Sequence, residues 1–81
     1  MSLADDLANK LAARVIAHVE KTGDDDMIAV MARALGDSSQ TLQEAFVTSV
    51  RVQRAAIRAE RLLRDRIAEF EAKKRTVKSD D

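Results

Sequence analysis

The chain has 81 residues, 14 basic and 14 acidic side chains, a formal charge of zero, and neither cysteine nor proline. One domain with one core is all that such a length allows. The absence of cysteine excludes a disulfide scaffold, a thiolate metal site and thiol redox chemistry. Apolar residues make up 46% of the sequence, but 14 of them are alanine, so large side chains for a core are few. Domains of this size that lack a disulfide or a metal commonly complete their burial against a partner, and the composition therefore predicts self-association.

The opening segment MSLADDLANKL is acidic early and has no unbroken apolar run, so it does not read as a signal peptide. No stretch approaches the ~20 apolar residues of a membrane span. The expectation is a cytoplasmic protein with no membrane partner. Charge is unevenly placed. Residues 1–50 carry an acidic excess and residues 51–78 a strongly basic one, which suits a polyanionic partner or the packing of one half on the other.

The first predicted helix runs from about residue 3 to 21. Leu3, Leu7, Leu11 and Val15 recur at four-residue steps with Ala4, Ala8, Ala12 and Val19 beside them, and Gly23 supplies the stop. His18 falls at the margin of that face and is expected to pack at a helix interface. No second histidine or thiol accompanies it, so a metal role is not implied.

Asp24, Asp25 and Asp26 open the second helix, where carboxylates suit free backbone N–H groups. The spacing of a calcium loop is absent, because Ile28 and Ala29 stand where oxygen ligands and a glycine would be needed. The helix is expected over 26–35, with Gly36 ending it. Met27, Ile28, Val30, Met31, Ala32, Ala34 and Leu35 make it apolar on nearly every side, which predicts a short, buried middle helix.

The third helix is predicted over about 39–75, opened by a capping box of Thr41 with Glu44 and followed by a polar tail at 76–81. Some 35 residues at 1.5 Å each give about 50 Å, longer than a compact domain of this size is wide. Part of this helix must project or pair with another chain. Its large apolar residues, Leu42, Phe46, Val50, Ile57, Leu63, Ile67 and Phe70, drift round the helix as a seven-residue repeat does. They are the candidate oligomer interface. The fold expected is all-α, three helices, forming a helical-bundle homodimer.

Catalytic chemistry finds little support. One histidine, no Cys, Tyr or Trp, and two glycines leave no nucleophile with a base, no phosphate-binding loop and no dinucleotide fingerprint. No enzyme activity and no cofactor are expected. Arg51, Arg54, Arg58 and Arg61, spaced 3, 4 and 3, form one stripe on the third helix, expected to face solvent nearly opposite the apolar face. The stripe is a solvated face or a docking surface for an acidic partner.

Residues 28–46, IAVMARALGDSSQTLQEAF, resemble a helix-turn-helix DNA-binding segment, with Ala32 where the first helix needs a small residue, Gly36 at the turn and Thr41-Leu42 in the reading helix. Asp37 and Ala45 depart from that pattern, and the third helix does not stop where a reading helix would. The resemblance implies a small DNA-binding regulator that reads bases through Gln40, Thr41 and Gln43, with Arg51–Arg61 adding affinity for phosphate. The leading expectation remains a non-catalytic interaction or adaptor module that self-associates and binds a protein partner, because the chain is neutral overall and its acidic half repels phosphate.

Overall fold

The computed structural model describes residues 2–79, and the side chains of residues 2–74. It is all-α, with α1 at Leu3–Thr22, α2 at Asp26–Ser38 and α3 at Gln40–Ser79. The molecule is elongated, 66 × 29 × 13 Å.

Ser2 starts α1 by accepting a hydrogen bond from the Asp5 N–H at 3.1 Å, which satisfies one of the donors a helix start leaves free. Gly23 ends it in the left-handed region, φ 77°, and donates its N–H to the Val19 carbonyl at 2.7 Å. That is the glycine stop expected from the sequence.

The start of α2 differs from expectation. Asp25 makes no side-chain capping bond, and the Asp24 carboxylate is instead held by His18 Nε2 at 2.9 Å. Met27 and Ile28 donate their N–H groups to the Asp24 and Asp25 carbonyls, so a backbone turn does the work assigned to carboxylates. The end differs too, since α2 runs through Gly36 to Ser38. A single residue, Ser39, joins it to α3. Ser39 Oγ accepts from the Leu42 N–H at 3.1 Å, a cap that displaces the expected Thr41–Glu44 box by two residues.

Two long-range contacts fix the order of the helices. Ser49 on α3 reaches Asn9 on α1, and Arg61 reaches Glu20, across 40 and 41 residues of sequence. The constant offset makes α1 and α3 parallel, and α2 returns alongside them. On that register Thr22, the end of α1, stands level with about residue 63 of α3. The rest of α3 projects beyond the bundle by about 25 Å at 1.5 Å per residue.

The core lies between α1 and α3. Ala8 and Ala12 are fully buried against Phe46, with Val15, Val19 and Val50 completing the cluster. The two alanines let the helices approach closely enough to enclose the Phe46 ring, the only large side chain completely removed from water among the described residues. The buried middle helix is corrected by this arrangement: no residue of α2 is buried. Met27, Ile28, Met31, Ala32 and Leu35 cover the core along one face, and Val30 is exposed. With α1 and α3 already in contact, α2 has room only at their side.

Candidate interaction surfaces

The candidate interface residues of α3 separate into two sets. Phe46 and Val50 are buried inside the chain, while Leu42 and Ile57 are half-buried. Phe46 and Val50 belong to the chain's own core and Leu42 packs against it, whereas Ile57 lies on the floor of a groove beside Ile16, Val19 and Ile28. Leu63, Ile67 and Phe70 lie on the projecting part, 61%, 49% and 55% exposed. The drift of the apolar series explains the division. Successive residues advance ~100° round a helix, so the stripe through Leu63, Ile67 and Phe70 is turned by roughly 110° from the face that carries Phe46 and Val50. The core face and the distal face are different sides of one helix.

The distal face continues toward the bundle as Ala59, Ala56 and Val52, all exposed. The spacing from Val52 to Phe70 was legible in the sequence, but alanines carry little weight in an apolar pattern and the stripe was not separated from the core face. Phe70 is flanked by cations, with the Arg66 guanidinium 5.9 Å and the Lys73 ammonium 5.4 Å from the ring centroid. Such contacts cover part of an exposed ring without burying it.

Near the bundle the same side of α3 meets α1 in a shallow groove. Asp5 and Asn9 of α1 and Glu44, Ala45, Thr48 and Val52 of α3 line it. Its floor holds a polar knot. The buried Ser49 hydroxyl donates to Asn9 Oδ1 at 2.6 Å, and Gln53 Nε2 donates to Ser49 Oγ at 2.9 Å and to the Asn9 carbonyl at 3.1 Å. These bonds tie α3 to α1, and no buried side-chain polar atom is left unpaired among the described residues. Gln53 is thus one of the residues that set the α1–α3 seam.

The arginine stripe lies on the other flank. Arg51, Arg54, Arg58 and Arg61 are all exposed, but they do not stand opposite the core face. Arg54, Arg58 and Arg61 wall a groove whose floor is Ile16, Val19, Ile28 and Ile57, and Arg51 joins Arg54 and Arg58 beside Ile28, Val47 and Val50. The stripe faces solvent, and what differs from expectation is its position: α2 packs on this flank and brings Ile28 up to the guanidinium groups. Arg61 pairs with Glu20 of α1. The other three arginines form no ion pair among the described residues. The side opposite the stripe is the distal apolar face.

His18 is 45% exposed in side chain and paired with Asp24, so it is not the packed histidine that the sequence implied. It borders a groove with Leu11, Arg14, Met27 and Met31. Among the described residues no three His, Cys, Asp or Glu side chains come together as a metal site, and no helix is long and apolar enough to cross a membrane.

The helix-turn-helix segment loses one of its reading residues. Gln43 is half-buried, folded back over Gly36, and donates through Nε2 to the Ala32 carbonyl at 2.9 Å. Its amide serves the α2–α3 corner and is not presented to a base edge. Gln40 bonds its neighbour Glu44 at 3.4 Å, which leaves Thr41 as the one exposed reading candidate without such a bond. The corner itself is a single residue, against the three or four of a helix-turn-helix turn. No family model, curated protein or solved structure matches the chain.

Proposed function

We propose that this chain is a non-catalytic helical interaction module of the cytoplasm, which associates with a copy of itself through α3 and takes an acidic protein partner on its arginine-lined flank. The observation that carries the first part is the distal face. A helix that projects about 25 Å from its own bundle and keeps Leu63, Ile67 and Phe70 half or more exposed is costly in water and is stabilised by a surface that covers it. The second part is supported by the groove of Arg54 and Arg58 over Ile16, Val19 and Ile28, where apolar floor and unpaired guanidinium groups suit an amphipathic acidic segment. DNA binding is the weaker reading, since Gln43 is engaged inside the chain.

Association makes folding depend on concentration, so the thermal midpoint of the wild type should rise between micromolar and 100-fold higher protein. A midpoint independent of concentration over that range would remove self-association from the proposal.

A further inference from the structure

We infer that the occupant of the distal face is a second copy of this chain laid antiparallel, with Leu63, Ile67 and Phe70 of each copy seated on Ala59, Ala56 and Val52 of the other. The inference rests on the self-association proposed above and deepens it.

Two observations carry it. The first is a gradient of side-chain size along the exposed stripe of α3. The half nearest the bundle is smaller, with Val52, Ala56 and Ala59, and the projecting half is larger, with Leu63, Ile67 and Phe70. A parallel pair sets alanine on alanine at one end and Phe70 on Phe70 at the other, so the axes splay and contact is lost at the alanines. An antiparallel pair sets Leu63 and Ile67 on alanine and Phe70 on the smaller Val52, and the axes keep one spacing within the 8–10 Å of packed helices. Alignment of Ala56 with Ile67, Ala59 with Leu63 and Val52 with Phe70 places the two-fold axis near residue 61.

The second observation is charge. In that alignment Lys73 and Lys74 of each copy arrive level with about residue 50 of the other, at the groove between α1 and α3 that holds Asp5 and Glu44. Near the axis Glu60 comes beside Arg64 of the partner subunit. A parallel pair instead gathers both basic ends at one place and leaves both acidic grooves empty. Like charges side by side oppose that arrangement.

The chain has no cysteine, so single cysteines report the alignment directly. Ala56→Cys and Ile67→Cys chains, mixed and oxidised mildly, should yield the 56–67 heterodisulfide, because the two Cα atoms come within the ~7 Å that a disulfide spans. Ala56→Cys alone should not cross-link. A nitroxide on Lys73→Cys, an exposed site where the change spares the fold, should give a spin–spin distance of about 35 Å across the two-fold, from 1.5 Å of rise per residue. Ready self-cross-linking of Ala56→Cys with a 73–73 distance below ~20 Å, as for side-by-side helices, would overturn the antiparallel alignment while leaving self-association intact. A wild-type chain that stays monomeric at 100 μM would overturn both.

Discussion

The side-chain amide of Gln43 donates to the backbone carbonyl of Ala32 at 2.9 Å and, in doing so, lies against Gly36 where any Cβ would collide with it. The α2–α3 corner is therefore set by a pair of residues, one that reaches back and one that leaves room. Gly36 has no positive φ, so its need is for close approach and not for backbone freedom.

A double-mutant cycle follows from this contact. Gln43→Ala should cost about 1 kcal/mol in urea denaturation, the usual net value of a hydrogen bond. Gly36→Ala alone should change stability little, because a helix-propensity gain of up to ~1 kcal/mol is opposed by displacement of the amide. In the Gln43→Ala background the same change should stabilise by most of that ~1 kcal/mol. Equal effects of Gly36→Ala in both backgrounds would mean that the two residues do not communicate.

The α1–α3 contact gives a second test. Phe46→Ala should remove about 3–5 kcal/mol, as expected for a fully buried aromatic ring. Ala12→Leu should cost about 1–3 kcal/mol by forcing α1 and α3 apart over that ring. A tolerant Ala12→Leu, with no change in denaturation midpoint, would contradict a core formed directly between these two helices.

The polar knot should behave differently from the core. Ser49→Ala removes the hydroxyl shared by Asn9 and Gln53 and should cost about 1 kcal/mol. With Gln53→Ala already present, the further loss should be smaller than that of Ser49→Ala alone, since the two side chains share one network. Strict additivity in denaturation experiments would show that they act separately.

The arginine flank is expected to matter for partners and little for folding. Arg54→Gln with Arg58→Gln should alter stability by no more than ~0.5 kcal/mol and leave dimerisation unchanged, since neither guanidinium is buried or paired. Gel-shift titration against mixed genomic fragments should show no sequence-selective retention at any salt concentration. Retention that survives raised salt and is lost on Thr41→Ala would favour the DNA-binding reading.

How much of this was legible in the sequence depends on the kind of signal. Helix type and order were plain, because three apolar periodic segments punctuated by Gly23 and Gly36 have few other solutions. The end of α2 was misread because Gly36 looks like a stop unless one knows that Gln43 lies over it, a contact made across the corner. The middle helix was misplaced because α2 is the most apolar segment, whereas burial went to Ala8 and Ala12, whose small size matters only once α3 is laid against them. For the candidate site, Leu63, Ile67 and Phe70 were visible as apolar positions of α3. What sequence spacing alone did not reveal was that Phe46 and Val50 belong to a different face, or that the arginines border a groove. Both depend on where α1 and α2 sit around α3.

Self-association through the distal face of α3 is tested most directly by sedimentation equilibrium of the wild type beside Ile67→Asp. A charge at an exposed position 67 does not disturb the core of one chain but is costly in a covered interface. The wild type should sediment as a dimer of about twice the 9.0 kDa chain mass, consistent with a small domain completing its burial against a second copy. Ile67→Asp should sediment as a helical monomer. A wild type and a variant that are both monomeric at 100 μM, or a variant that dimerises as well as the wild type, would contradict it.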